Sequence, residues 1–262
     1  MGKSIKKTFR HDLQKHFPRE APPQEILTHE DIRHLPAAVQ RCLEVCGYVG
    51  HEKIVSAEVQ WADSHIKMKP GGKWMRLKTL QYNGVNPPFR IAYMKAMMMG
   101  MIPFEGRDLY AEGQGHMFGK IAQVVSVFDE KNPQVAQSAL VIILAESMLI
   151  PGYALSEHIT WEARDDRSAR ATMQHEGLEA SGTFFFDEAG LMVRFESAER
   201  YYQDPQEGPV LRPFKAFVGG YHPQGVLRVP RTLLAAWELK TGLYEYWKGT
   251  IKAVRYNIRP GE

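Results

Sequence analysis

Residues 159–198 have the sequence ITWEARDDRSARATMQHEGLEASGTFFFDEAGLMVRFESA, and this stretch decides the fold class. Four short apolar runs lie in it, separated by turn-forming residues at 165–166, at Gly177 and at 187–190. Runs of this length bounded by Asp and Gly are typical of antiparallel strands joined by hairpins. The predicted strands cover residues 159–164, 169–174, 179–186 and 191–198.

The same pattern continues on either side of this stretch. From Val55 to Trp61 apolar residues alternate with polar ones, which predicts a strand with one buried and one solvated face. Turn-forming residues at 70–72, 83–84 and 113–115 then separate further apolar runs. These additional predicted strands cover residues 73–82, 89–99, 103–112, 116–128, 214–221, 225–229, 233–239 and 243–257.

Two segments have helical spacing instead. Residues 35–46 place apolar side chains three and four positions apart, and residues 132–149 begin with an Asn-Pro pair that suits an N-cap and a first helical turn. A few helices among many sequential strands indicate an α+β fold with a large antiparallel sheet. No shift in composition marks a second domain, so we expect a single β-rich domain over residues 24–262.

The composition excludes several classes of protein. The chain has 262 residues, of which 44% are hydrophobic and 24% are charged, as in an ordinary globular protein. Its longest apolar runs are much shorter than the ~20 residues of a membrane-spanning helix. Its two cysteines do not form a disulfide scaffold, and no apolar stretch follows the basic N-terminus as in an export signal. We therefore expect a cytoplasmic location.

Residues 1–23 are interpreted as a basic leader. Residues 1–20 hold six Lys or Arg against two acidic residues, whereas the formal net charge of the whole chain is only +3. Such a tail can contact an anionic membrane weakly, and nothing in it indicates specific binding of nucleic acid. We favour a solvated, partly disordered leader over a functional one.

Three titratable residues are weak candidates for catalysis. Glu146 lies in an apolar segment, so its carboxylate needs a charged or hydrogen-bonding partner, or a proton. The candidate partners are Arg107, Arg164, Arg170 and Trp161. Asp108 and His116 flank a glycine-rich turn, where catalytic groups often lie. For all three we favour structural roles.

Methionine and aromatic residues are frequent between residues 68 and 117. Flexible thioethers and aromatic rings either fill an irregular core or line a pocket for an apolar ligand, and the sequence leaves both open. The residues that would line such a pocket are Trp74, Phe89, Tyr93, Met97, Met99, Phe104, Met117, Met148 and Trp161. Cys42 and Cys46, with His29 and His34, have the residue types of a zinc site. Since cysteine is commonly buried, we favour packed thiols and expect no metal and no cofactor.

Several short motifs, taken in order along the chain, resemble one family. The motifs are Leu35-Pro36, Trp74, Gly106-Arg107-Asp108 with Tyr110, Gly113-x-Gly115-x-Met117, Glu146 with Pro151, and Ile159-x-Trp161-Glu162. Together they resemble a bacterial family of unknown function that is similar to the LolA-type lipoprotein-carrier half-barrel. The resemblance covers roughly residues 35–255, and it implies an antiparallel sheet curled around an apolar cavity and covered by a few helices.

Three functions are compatible with these features. We favour non-enzymatic binding of a lipid-like or other apolar small molecule, in a cavity between the curled sheet and helix 133–149. The alternative is an enzyme of unknown class that uses Glu146 with Asp108 or His116 in the same cavity, for which we expect a raised Glu146 pKa. The third is an interaction protein without a ligand, whose basic leader docks on an anionic surface.

Overall fold

A computed structural model describes residues 4–17, 24–98 and 100–258 of the chain. The helices in these residues are α1 (Ile5–His16), α2 (His29–Ile32), α3 (Ala37–Val45), α4 (Pro133–Ala145) and α5 (Pro151–Ala154). The strands are β1 (Ser56–Ile66), β2 (Met75–Gly84), β3 (Phe89–Met98), β4 (Ile102–Ala111), β5 (Gln114–Ile121), β6 (Val125–Glu130), β7 (Ile159–Asp165), β8 (Ser168–His175), β9 (Leu178–Phe186), β10 (Met192–Asp204), β11 (Gly208–Gly219), β12 (His222–Gln224), β13 (Leu227–Val229), β14 (Thr232–Leu239) and β15 (Gly242–Tyr256).

Thirteen of these described strands form one antiparallel sheet. Its order is β6-β5-β4-β3-β2-β1-β15-β14-β11-β10-β9-β8-β7, and β12 pairs with β13 in a separate hairpin. Strands that follow one another along the chain are mostly neighbours, and β15 returns to pair with β1. The result is a large curled antiparallel sheet, a half-barrel with a few helices, so the predicted fold class and the four hairpin strands of residues 159–198 are confirmed.

Glycines on the concave face help the sheet to curl. Four glycines of this face have an aromatic ring in the space that a β-carbon would occupy. The pairs are Gly106 with Phe104, Gly119 with Phe128, Gly182 with Phe195, and Gly249 with Trp61 and Trp247. Glycine kinks covered by aromatic rings give a sheet curvature without leaving its backbone exposed. The register shifts in β1 and β10 add local twist.

Helix α4 covers one part of the concave face. The Asn132 side chain accepts a hydrogen bond from the Val135 N–H at 2.9 Å, as expected of an N-cap. Gly115 of β5 lacks a side chain where the helix backbone at Ala136 approaches the sheet. The most deeply buried helix side chains are those of Leu140, Val141, Ile143 and Leu144. The helix ends at Ala145, earlier than the predicted residue 149, and Glu146 is its C-cap.

Helix α1 packs on the opposite, convex face of the sheet. Its apolar residues Ile5, Phe9 and Leu13 recur every four positions, and Phe9 and Leu13 join a packed cluster with strand residues such as Ile91 and Leu109. This helix differs from the partly disordered leader expected from charge alone, because the apolar residues lie on one side of it. Residues 18–23 of the predicted leader lie outside the described residues.

Two further boundaries differ from prediction. The segment 116–128 is two strands, β5 and β6, since Ala122 and Gln123 between them adopt left-handed backbone angles with φ of 51° and 61°. Strand β10 continues to Asp204, well past the predicted residue 198.

None of the described helices combines the length and the apolar character that crossing a bilayer requires.

Candidate ligand-binding face

Glu146 has a partner that the sequence analysis missed, Arg90 of β3. The Arg90 Nε donates to Glu146 Oε1 at 3.0 Å, and the carboxylate also accepts from Gln81 at 3.0 Å and from Asn83 at 2.8 Å. Glu146 lies at the C-terminus of α4, where the helix dipole disfavours a negative charge. The arginine and the two amides therefore compensate for both the burial and the position of this carboxylate.

Asp108 is the second carboxylate of this network. The Arg90 Nη1 donates to its Oδ2 at 2.9 Å, so that one guanidinium joins Asp108 to Glu146. Burial by itself lowers the pKa of Arg90, but these two carboxylates outweigh it and raise the pKa above its ordinary value. The network fixes the end of α4 to β2, β3 and β4, as expected of a structural cluster.

His116 lies on the other side of the sheet. Its Nδ1 is 2.6 Å from an Arg107 Nη atom and its Nε2 is 2.7 Å from Asp129 Oδ1, while Arg107 also pairs with Asp12 of α1. Burial lowers the pKa of Arg107, and Asp12 partly offsets this effect. His116 and Arg107 thus help to attach α1 to the convex face. The structure brings Glu146 and Asp108 together but not His116.

The predicted pocket residues are divided between the two faces. The alternation of β-strand side chains is the reason, because successive residues point to opposite faces. Residues on the convex face are Trp74, Phe89, Tyr93 and Met97. Residues on the concave side are Phe104, Met117, Met148 and Trp161. Met99 lies outside the described residues.

On the convex face, two of these residues pack beneath α1. Phe89 is fully buried, and the Tyr93 ring lies 5.4 Å from the Phe9 ring of the helix. Trp74 is instead held between Lys67 and Lys248, whose ammonium groups are 4.4 and 4.6 Å from its ring. Met97 is exposed.

On the concave side, Met148 and Trp161 belong to the core around α4 and α5. Met148 is buried, and the Trp161 Nε1 donates to the carbonyl of Ala154 at 2.9 Å. The buried α4 side chains form one cluster with sheet residues such as Phe184 and Phe195. Side chains therefore occupy the region directly beneath α4.

Beside α4, the concave face carries half-buried apolar side chains, and we call this region the open face. It surrounds a small buried cluster, Leu77, Ala96 and Phe104, to which no described helix residue contributes. The half-buried residues of the open face are Trp61, Ile66, Met75, Met94, Met98, Phe128, Tyr246 and Trp247. The rings of Trp61 and Trp247 meet edge to face, with their centroids 4.8 Å apart.

An aromatic group at one side of the open face holds Arg200 of β10. The guanidinium carbon lies 4.5 Å from the Phe214 ring centroid, 4.7 Å from that of Trp237 and 5.5 Å from that of Tyr246. One Nη atom donates to the Tyr246 hydroxyl at 2.6 Å. This group was not predicted from the sequence, although the run LYEYW at residues 243–247 concentrates three aromatic residues in one strand.

The described residues contain no group of three or more His, Cys, Asp or Glu side chains placed to hold a metal ion. Cys42 and Cys46 are buried free thiols in the core near α3. Mutual interaction and burial raise the pKa of Cys42 well above its ordinary value. The Cys42 thiol is therefore a protonated side chain of the core.

Several solved structures are similar to this chain. One, from Vibrio parahaemolyticus, is described as an outer membrane lipoprotein-sorting protein domain; it is 8% identical, with a TM-score of 0.39 over 84% of this chain and 90% of that chain. A LolA superfamily protein from Nitrosomonas europaea is 10% identical, with a TM-score of 0.44 over 82% and 92%. A DUF1329 family protein from Desulfovibrio piger is 11% identical, with a TM-score of 0.44 over 89% and 95%.

These comparisons correct one expectation and establish one relationship. The cytoplasmic location expected from the sequence is wrong: one of the similar structures is described as an outer membrane lipoprotein-sorting protein domain. No curated protein matches the chain. A family model does match, over residues 25–249, which is most of the chain. The chain therefore belongs to a family of unknown function, DUF6544.

Proposed function

We propose that this protein binds a lipid-like or other apolar small molecule on the open face. The observation that carries this proposal is the continuous set of half-buried aromatic and methionine side chains on the concave side of the sheet. Large apolar patches that remain accessible on a folded protein are common at binding sites. The proposed site lies beside α4, since the region beneath that helix is packed with side chains.

The hydrophobic effect alone is large enough to account for the binding of such a ligand, and no catalytic group is needed. Burying ten methylenes at about 0.8 kcal/mol each contributes ~8 kcal/mol before the cost of ordering the ligand, which is compatible with micromolar affinity. Methionine side chains adapt to ligands of different shape, because the thioether chain is flexible and polarisable. Met75, Met94 and Met98 supply this property at the proposed site.

We do not extend the proposal to an enzyme. Glu146 and Asp108 share Arg90 in an ion-pair network at the end of α4, and His116 contacts Arg107 on the opposite face. A general acid or base has to reach its substrate, whereas Glu146 and Asp108 are both engaged by Arg90 and His116 lies apart from them. Binding is the function that the open face supports best.

Native mass spectrometry of gently purified protein, before and after organic extraction, tests the proposal. We expect a bound mass that extraction removes, and subsequent binding of 1-dodecanol. Trp247→Ala removes a ring from the open face and should weaken dodecanol binding about tenfold, because each Å² of lost apolar contact costs ~25 cal/mol of binding free energy. Val226→Ser, in the exposed β12–β13 turn, is the matched control and should bind as the wild type does. Absence of bound mass together with absence of dodecanol binding would contradict the proposal.

A contact with an anionic membrane is a second part of the proposal. With the apolar side of α1 on the sheet, the helix presents exposed cations to solvent, namely Lys6, Lys7, Arg10 and Lys15. Each cation near an anionic bilayer contributes about 1 kcal/mol, and salt weakens the effect. We expect salt-sensitive co-sedimentation with phosphatidylglycerol vesicles, reduced by a Lys6→Glu/Lys7→Glu/Arg10→Glu variant. Equal sedimentation of that variant and the wild type would exclude this role of α1.

A further inference from the structure

We propose that Arg200 binds the charged headgroup of the ligand, which is then an anionic amphiphile with a carboxylate or phosphate group. This inference rests on the proposed function, because it assigns the polar end of a molecule whose apolar part lies on the open face.

The position of Arg200 is fixed by its aromatic neighbours. It follows a register shift in β10, between Ser197 and Arg200, which alters the regular alternation of the strand. Its guanidinium group then lies over the Phe214, Trp237 and Tyr246 rings on the concave side. Stacking on aromatic rings holds a guanidinium plane in a defined orientation.

The charge of Arg200 has no counter-ion in the described part of the chain. No carboxylate oxygen of the described residues lies within 4.0 Å of its nitrogens, whereas Arg90 and Arg107 each have at least one at that distance. The Arg200 Nε is buried and makes no hydrogen bond. Within the residues that the structure describes, it has one hydrogen-bond partner, the hydroxyl of Tyr246. A guanidinium group has five N–H donors, so most of its capacity remains unused.

An anion with two oxygens matches the charge and the planar donors of this guanidinium group. Carboxylates and phosphates accept paired hydrogen bonds from the planar guanidinium fork, and partial burial strengthens such bonds. A register shift between β14 and β15 interrupts the alternation at Tyr246, so that Tyr246 and the next residue, Trp247, both lie on the concave side, where the Trp247 ring packs against Trp61. An acyl chain attached to the bound anion can therefore continue directly along the apolar side chains.

Three ligands with the same twelve-carbon chain test the inference: dodecanoate, dodecyl phosphate and 1-dodecanol. Isothermal titration of the full-length protein below the micelle concentrations should show that the wild type binds one or both anions at least about tenfold more tightly than the alcohol, as expected for hydrogen bonds to charged groups. Arg200→Gln should remove this preference and leave dodecanol affinity within about twofold. Arg200→Lys should retain only part of it, since an ammonium group lacks the planar fork.

Arg194→Gln is the matched control. Arg194 lies on the same strand and stacks on Phe185 at 4.1 Å, but it faces the convex side, where Glu196 is its partner. This variant should keep the full preference for anions. Two results would overturn the role of Arg200 without affecting the proposed function. The first is equal binding of all three ligands by the wild type, and the second is an Arg200→Gln variant that still prefers anions. Failure of the wild type to bind any of the three would overturn the proposed function itself. Unchanged dodecanol binding by Arg200→Gln verifies that this variant is folded.

Discussion

Arg90 and Arg200 show how differently the covered and the open parts of the concave face accommodate a charge. Arg90, beside the end of α4, has two carboxylates at 2.9 and 3.0 Å. Arg200, beside the open face, has three aromatic rings and one tyrosine hydroxyl. A guanidinium group with its charge already balanced serves the fold, whereas one without a counter-ion is available to a ligand.

The apolar residues of the two parts differ in the same sense. Under α4 the side chains of Leu140 and Phe184 are fully buried in one cluster. On the open face Trp61, Trp247 and Met94 are only half buried. Since a buried side chain contributes to stability and an accessible one can contribute to binding, the two parts should respond differently to substitution.

The largest effect that distinguishes the two arginines should be on stability. Arg90→Met leaves the buried Glu146 and the half-buried Asp108 without their cation, which should lower the free energy of unfolding by about 3–5 kcal/mol. Arg200→Met leaves no carboxylate unpaired and should cost only about 1 kcal/mol, from lost cation–π contact. Urea denaturation of both variants measures the difference.

A second substitution checks the cause of the Arg90 effect. Adding Glu146→Gln to Arg90→Met removes one of the unpaired charges and keeps one acceptor oxygen for either Gln81 or Asn83. The double variant should therefore recover part of the lost stability. Equal stability of Arg90→Met and Arg200→Met would contradict the distinction between the two parts of the face.

A smaller difference is expected between two aromatic residues. Phe184→Ala in the covered part should cost about 3–4 kcal/mol of unfolding free energy, through lost contacts and a cavity. Trp247→Ala in the open face should cost about 1–2 kcal/mol, because its ring is already partly solvated. If Trp247→Ala were the more destabilising in urea, the open face would have to be reassigned to the core.

The smallest expected effect is a dependence of stability on pH, to which the buried His175 contributes. Burial, with a contribution from His158, lowers the pKa of His175, whose Nδ1 is 2.8 Å from the Tyr110 hydroxyl. The unfolded chain therefore binds more protons than the folded one below about pH 6.5, so stability should decrease as the pH falls through that value. Burial also lowers the pKa of His16, which adds to the same trend.

A His175→Gln variant isolates the contribution of one histidine. The amide oxygen of the glutamine can still accept a hydrogen bond from the Tyr110 hydroxyl, but the amide group does not titrate. The change in unfolding free energy between pH 7.5 and 5.5 should be smaller than in the wild type. An unchanged pH dependence would mean that His175 is not a source of it.

The sequence was sufficient for the sheet but not for the faces of its strands. Hairpins such as 159–198 are defined by local turn residues, and the structure contains all four of their strands. The candidate pocket mixed residues such as Phe89 and Phe104, because a cluster along the chain does not separate the two faces of a strand. Only the pairing of neighbouring strands assigns Phe104 to the concave side and Phe89 to the convex side, beneath α1.

Long-range partners were beyond the reach of the sequence for a related reason. The need of Glu146 for a partner followed from its apolar neighbours, but Arg90 lies 56 positions away and is selected by the register of β2, β3 and β4. The aromatic group around Arg200 likewise draws on β10, β11, β14 and β15. Packing α1 on the sheet also required knowing which surface its apolar side would meet.

Photolabelling tests most directly whether the open face binds the ligand. Dodecanoate with a diazirine near its methyl end should, on irradiation, label concave residues of β3 and β15 such as Met94 and Trp247, and excess dodecanoate should suppress the labelling. Peptide mapping by mass spectrometry locates the adducts. Labelling confined to α1 and the convex residues, or labelling that excess dodecanoate does not reduce, would contradict a binding site on the concave side.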